Sequence, residues 1–278
     1  MEIRSWKSNK TRNLRGRESS NPCLYFFPFS IYSIMVRFTI ELALRDKFHS
    51  SRDLTKLNYR LVNLHRNENL EEDYLLHINP GGKVPVLTSK SLPAPLTDSL
   101  SISYWVCEQR PSLIPETHRA TIQRLLSHLH RIRTDNNPNP AIDDLLARVD
   151  ITPEHRRALE YERDRERKHT EPELDDEDEE SMTGQARHLF SQLLVEYEKF
   201  NRGGIWIFGD DTGPTVLDAH AVVFIARLVD IQLEDLVPVQ MLLYANSIMG
   251  LPEWDAVMRG MPTVWNSSLG PVDQLKVV

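Results

Sequence analysis

The run Lys83-Val84-Pro85-Val86 puts a proline inside a strand-like apolar stretch. Proline has no N–H for a sheet ladder and is kept to edges, strand ends and bulges. By itself the run reads equally well as an ordinary edge strand. Further on, Asp98-Ser99 precedes a helical stretch, Ser99 to Glu108. A carboxylate and a hydroxyl there cap the helix, whose first N–H groups also attract anions. A third spacing, Thr215 to Asp218, has the form of a capping box: the Thr hydroxyl meets the Asp N–H, and the carboxylate reaches back. That device serves folding. His128 and His130, two apart, point to different sides of a helix and make a poor metal pair, so no metal is expected.

The elements that position these residues fall into two groups. From Cys23 to about Leu113, short apolar runs alternate with helical ones, giving strand, helix, strand, helix, strand, strand, helix. The strands are expected at Leu24 to Phe27, Tyr59 to Leu64, Val84 to Thr88 and, at an edge, Ala94 to Thr97. The helices are expected at Ser30 to Asp46, Glu71 to His77 and Ser99 to Glu108. Asn79-Pro80-Gly81-Gly82 stops the second of these. Past Pro111 to Pro115 the strand signals end, and helices are expected at Thr117 to Ile132, Pro153 to Arg167, Gln185 to Phe200, Thr215 to Val229 and Val239 to Met249. The fold class is therefore α/β plus all-α: an α/β domain over 22–110 and an all-helical domain over 116–265, followed by a tail at 266–278.

The chain has 278 residues and a formal charge of −7, with 40 acidic residues. Eight of these lie between Glu171 and Glu180, and without that decapeptide the charge is +1, so the acidity is local. Such a block repels itself and cannot bury apolar area; with the charge-dense Arg156 to Lys168 it reads as a solvated insertion, centred near 168–183. Basic residues cluster only within 1–21, read as a disordered leader, and no face has the clustered Lys and Arg that nucleic acid requires. Apolar runs are too short to span a bilayer. Cys23 and Cys107 are too few for a disulfide framework, which points to a reducing, cytoplasmic setting.

INPGGKVPVL, Ile78 to Leu87, together with LTDS, Leu96 to Ser99, resembles the glutathione-binding blocks of the cytosolic glutathione transferases. The spacing between the blocks is similar as well. FGDDTGPTVLDAHAVVFIARL, with its capping box, resembles that family's buried core helix. The resemblance implies a thioredoxin-like N-terminal domain in which Pro85 is cis and the backbone of Val84 is left to pair with a peptide-like ligand. It makes Lys83, Val84, Pro85, Asp98 and Ser99 the glutathione-binding residues, with Asp98 for the ligand ammonium and Ser99 and the helix start for its carboxylate.

Counted back from Val36-Arg37, Ser30 stands where serine-type, zeta- or theta-like members carry the hydroxyl that activates the thiol. Ser33 is the fallback, and Tyr25 and Tyr32 are more distant alternatives. The resemblance implies an enzyme whose glutathione thiolate attacks a small electrophile, working as a homodimer without nucleic acid or membrane. FPFSIYSIMVRF with a long helical insertion is also similar to fungal members acting in secondary metabolism. Glutathione-dependent cis-trans isomerisation and a non-catalytic binding role are the alternatives.

Overall fold

A computed structural model describes residues 21–45, 52–132, 141–170, 181–201 and 203–275. The basic leader up to residue 20 and the acidic run at 171–180 lie outside them.

Strand β1, Cys23–Phe26, is central in a three-stranded sheet of order β2-β1-β3. It runs parallel to β2, Asn58–Leu61, and antiparallel to β3, Val86–Thr88. Helices α1, Ile31–Leu44, and α2, Arg52–Thr55, make the crossover to β2; α3, Glu72–His77, precedes β3, and α4, Ser99–Gln109, closes the domain. The fourth strand shrinks to one pairing, Leu87 with Leu96, where two backbone bonds of 2.8 and 2.9 Å form. Pro93 and Pro95 both precede Leu96 and deny the chain on that side further ladder donors. β3 starts at Val86, two residues later than the apolar run suggests, because Pro85 has no N–H to donate.

The rest is helical: α5, Arg119–Arg131; α6, Ala141–Leu146; α7, Pro153–Thr170; α8, Met182–Phe200; α9, Val216–Asp230; α10, Val239–Met249; and α11, Pro252–Met258. Helix α9 is buried all round from Val216 to Leu228, as a central core helix must be. It packs most extensively on α1. One apolar core therefore runs from the sheet into the bundle, including Leu24, Phe38, Ile102, Leu125, Phe190 and Phe224. No helix among the described residues is long and apolar enough to cross a membrane.

The capping box forms. Asp218 accepts from the Thr215 N–H at 2.8 Å and hydroxyl at 2.6 Å, while the Thr215 hydroxyl accepts from the Asp218 N–H. The carboxylate also takes the Ile207 N–H at 2.9 Å and the Tyr244 hydroxyl at 2.8 Å. Burial pushes its pKa up, and these donors act against that. Ahead of it, Gly209 adopts φ +79°, and a Cβ there would sit 2.9 Å from the Phe200 carbonyl oxygen.

The helix expected at Pro153 to Arg167 forms as α7, and despite its charge density it keeps an apolar face to pack. Helix α7 folds back on α3, where Leu70, Leu75, Ile142 and Leu159 form a small separate core. Glu162 is 2% exposed and paired with Arg165 three residues on. One turn of a helix whose outer face is charged is enough to dock it.

Candidate functional site

Ser30 is the N-cap of α1, its Oγ accepting from the Ser33 N–H at 3.4 Å. The hydroxyl proton remains available for a ligand. Ser33 is fully buried, its own Oγ accepting from the Phe27 N–H at 3.3 Å, which ties the first turn of α1 back to β1. A second tie comes from α9: the buried Arg227 donates to the Phe29 carbonyl at 2.7 Å and to Thr263. The turn between β1 and α1 is held from both sides.

The Val84–Pro85 peptide is cis, as the resemblance implies and as the proline's placement alone did not decide. The Lys83 carbonyl accepts from the Tyr74 hydroxyl at 2.8 Å and the Asn79 amide at 2.9 Å, and the Gly82 carbonyl from the Asn69 amide at 2.7 Å. Arg165 of α7 donates to the Gly81 carbonyl at 2.8 Å. The loop is thus pinned up to Lys83, whose side chain is exposed. Val84 itself is 8% exposed, and no described residue pairs its backbone N–H or C=O. A buried backbone without partners is uncommon and suits an added strand.

Asp98 caps α4, accepting from the Ser101 N–H at 2.8 Å with its side chain otherwise exposed. Ser99 is the first residue of that helix and is buried. Backbone register brings these pieces together. Tyr25 pairs with Val86 in the antiparallel ladder, so two residues on, Phe27 lies alongside Val84. The Leu87–Leu96 pairing, continued by two, sets Asp98 alongside Pro85. The Ser30 turn, the unpaired Val84 backbone and the Asp98-Ser99 helix start therefore share one end of the sheet, where two positive helix ends arrive. The positions are consistent with an extended zwitterionic ligand.

The other candidates lie apart from this end or are packed. Tyr25 is 6% exposed and edge-on to Tyr74. Tyr32 stacks on His130, with ring centroids 5.8 Å apart. Burial raises the thiols of Cys23 and Cys107, the latter to about 12, so neither supplies a thiolate near neutral pH.

His128 and His130 do face differently: His128 meets Gln192, while His130 Nε2 lies 2.9 Å from Nδ1 of the buried His220, whose Nε2 is 2.9 Å from the Ser103 hydroxyl. Burial holds His220 well below the ordinary imidazole range, with repulsion from His130 acting the same way. The unfolded chain protonates this residue near pH ~6.5 and the folded chain does not. Its stabilisation is complete above that pH and is lost as pH falls, at up to about 1.4 kcal/mol per pH unit. Urea unfolding between pH 7 and about 5.5 should show this acid slope, reduced by that amount in His220→Asn.

Sequence reasoning found the cap and loop residues but not Arg227, Arg165 or His220. No local spacing marks any of these three.

This is the fold of the glutathione transferases: a thioredoxin-like N-terminal domain followed by a helical C-terminal region. Residues 24–116 match the family model for the glutathione S-transferase N-terminal domain. Among solved structures, a bacterial zeta-class maleyl pyruvate isomerase is 20% identical, with a TM-score of 0.51 over 88% of this chain and 99% of its own. A maleylacetoacetate isomerase from Anaeromyxobacter dehalogenans, with glutathione bound in the active site, is 18% identical, with a TM-score of 0.52 over 85% of this chain and 94% of its own. A glutathione transferase homologue from Drosophila mojavensis, also with bound glutathione, is 19% identical, with a TM-score of 0.51 over 84% and 89%. No curated protein matches the sequence.

Proposed function

We propose that the chain binds glutathione at this end of the sheet and directs its thiolate at an electrophilic small molecule. The observation that carries the reading is the unpaired Val84 backbone, placed by register between the caps of α1 and α4. In this reading Val84 pairs with the cysteinyl backbone of glutathione beside Pro85, and Lys83 borders the ligand. Asp98 takes the γ-glutamyl ammonium, and Ser99 with the start of α4 takes the neighbouring carboxylate. Ser30 donates to the sulfur and, with the positive end of α1, favours thiolate over thiol. Conjugation is the proposed outcome. Two of the neighbouring structures are named as isomerases, which supports reversible addition to a double bond as a second reading.

The test is a glutathione titration of the full chain followed by calorimetry and by ultraviolet thiolate absorbance. Saturable binding with thiolate absorbance near neutral pH is expected. A chain that binds no glutathione would sink both readings.

A further inference from the structure

We propose that His130 is the hydrogen-bond donor on the electrophile side of the cleft. It presents Nδ1–H to an electrophile oxygen that gains negative charge as the thiolate adds. This rests on the reading above. It adds a residue, a tautomer and a substrate preference for conjugated carbonyl compounds.

The tautomer follows from hydrogen-bond accounting. Ser103 is fully buried in α4, and its hydroxyl proton has one partner among the described residues, Nε2 of His220. Leaving that proton without an acceptor would be costly, so Ser103 donates and His220 Nε2 accepts. His220, also fully buried, then carries its proton on Nδ1 and gives it to His130 Nε2. A neutral His130 must carry its proton on Nδ1, and no described residue accepts from that atom. Burial lowers the pKa of both rings, which favours the neutral forms this chain of bonds requires.

The ring is in the right place. It sits on the last turn of α5, partly exposed, stacked at 27° on Tyr32, two residues past Ser30. Asp98 is close enough for its carboxylate to raise the pKa of His130 against the effect of burial. The groups set against the ring are thus Tyr32 from α1 and His220 from α9, while the Asp98 carboxylate at the cap of α4 acts on it through space. An electrophile brought to a thiolate at Ser30 meets this ring from the helical domain.

The chemistry balances without a further reactant. The sulfur pair forms the C–S bond at the β carbon of an enone, and the double-bond pair moves to make an enolate oxygen. Nδ1–H stabilises that oxygen, and water supplies the proton to the α carbon, replacing the one the thiol released. Displacement at a benzyl halide places the charge on the departing halide, where no such oxygen exists. His130 therefore matters for the first reaction over the second.

Two measurements test this. The ratio of enone to benzyl halide turnover is expected to fall about 30- to 100-fold in His130→Phe, which keeps the stacked ring but loses the donor. In His130→Asn, whose amide nitrogen lies near the Nδ1 position, the ratio should stay within about fivefold of wild type. A His130→Phe ratio within about twofold of wild type overturns the proposal, as does a change confined to glutathione affinity. Nitrogen-15 NMR of the full chain near neutral pH should show His130 protonated at Nδ1 and bare at Nε2. The opposite tautomer overturns the proposal even if no glutathione binds, whereas absent binding alone defeats the reading of the previous subsection.

Discussion

Ser30→Ala should bind glutathione within about threefold of wild type and lose about 100-fold in turnover of a generic aromatic halide, with a matching loss of thiolate absorbance. The two effects separate because different atoms carry them. Binding is assigned to the Val84 backbone and the start of α4, which the substitution does not touch. Thiolate stabilisation is assigned to a hydroxyl that accepts from the Ser33 N–H and so keeps its own proton for the sulfur. A free thiol near pKa ~8.5 is mostly protonated at neutral pH, and each unit of depression corresponds to about 1.4 kcal/mol. Losing the cap itself costs about 1 kcal/mol of stability, so Ser30→Thr, which keeps both hydroxyl and cap, is the control that should recover turnover. Undiminished turnover in Ser30→Ala would move the role to Ser33 or Tyr32, the other hydroxyls of the first turn.

Asp218→Ala should destabilise the fold by about 4 kcal/mol. The carboxylate is fully buried and satisfies the Ile207 and Thr215 N–H groups and the Thr215 and Tyr244 hydroxyls. Alanine leaves all four donors in a site that water does not reach, and an unmade buried bond costs more than a made one contributes. Asp218→Asn, which keeps the shape but turns one oxygen into a donor, should cost about half as much. The damage extends to the site, because the same helix carries Arg227, whose guanidinium fixes the Phe29 carbonyl beside Ser30. Urea unfolding at pH 7 measures the loss. A cost below about 1 kcal/mol would mean that water replaces the carboxylate.

Short-range chemistry made much of this legible in advance. A proline within an apolar run, a carboxylate and hydroxyl ahead of a helical pattern, and a threonine three residues before an aspartate each constrain a backbone a few residues long. Such constraints hold wherever the segment lies. The five longer helices of the second domain follow from periodicity for the same reason, whereas the short α6 and α11 did not stand out, and the capping box forms as its spacing requires. The edge strand was overestimated because apolar content signals a strand while two prolines limit its hydrogen bonds.

What holds the site together was not legible, because its partners are distant in the chain. Arg227 meets Phe29 across 198 residues, His130 meets His220 across 90, and Arg165 meets Gly81 across 84. Arginines and histidines within helices are ordinary, and only packing decides whether one is solvated or buried against a particular carbonyl or ring. Residue types and local spacing determined where the helices are capped and where a proline interrupts the ladder. Only the tertiary structure decided which side chains hold those segments in place, since a buried donor is fixed by the acceptor that the folded core brings within about 3 Å.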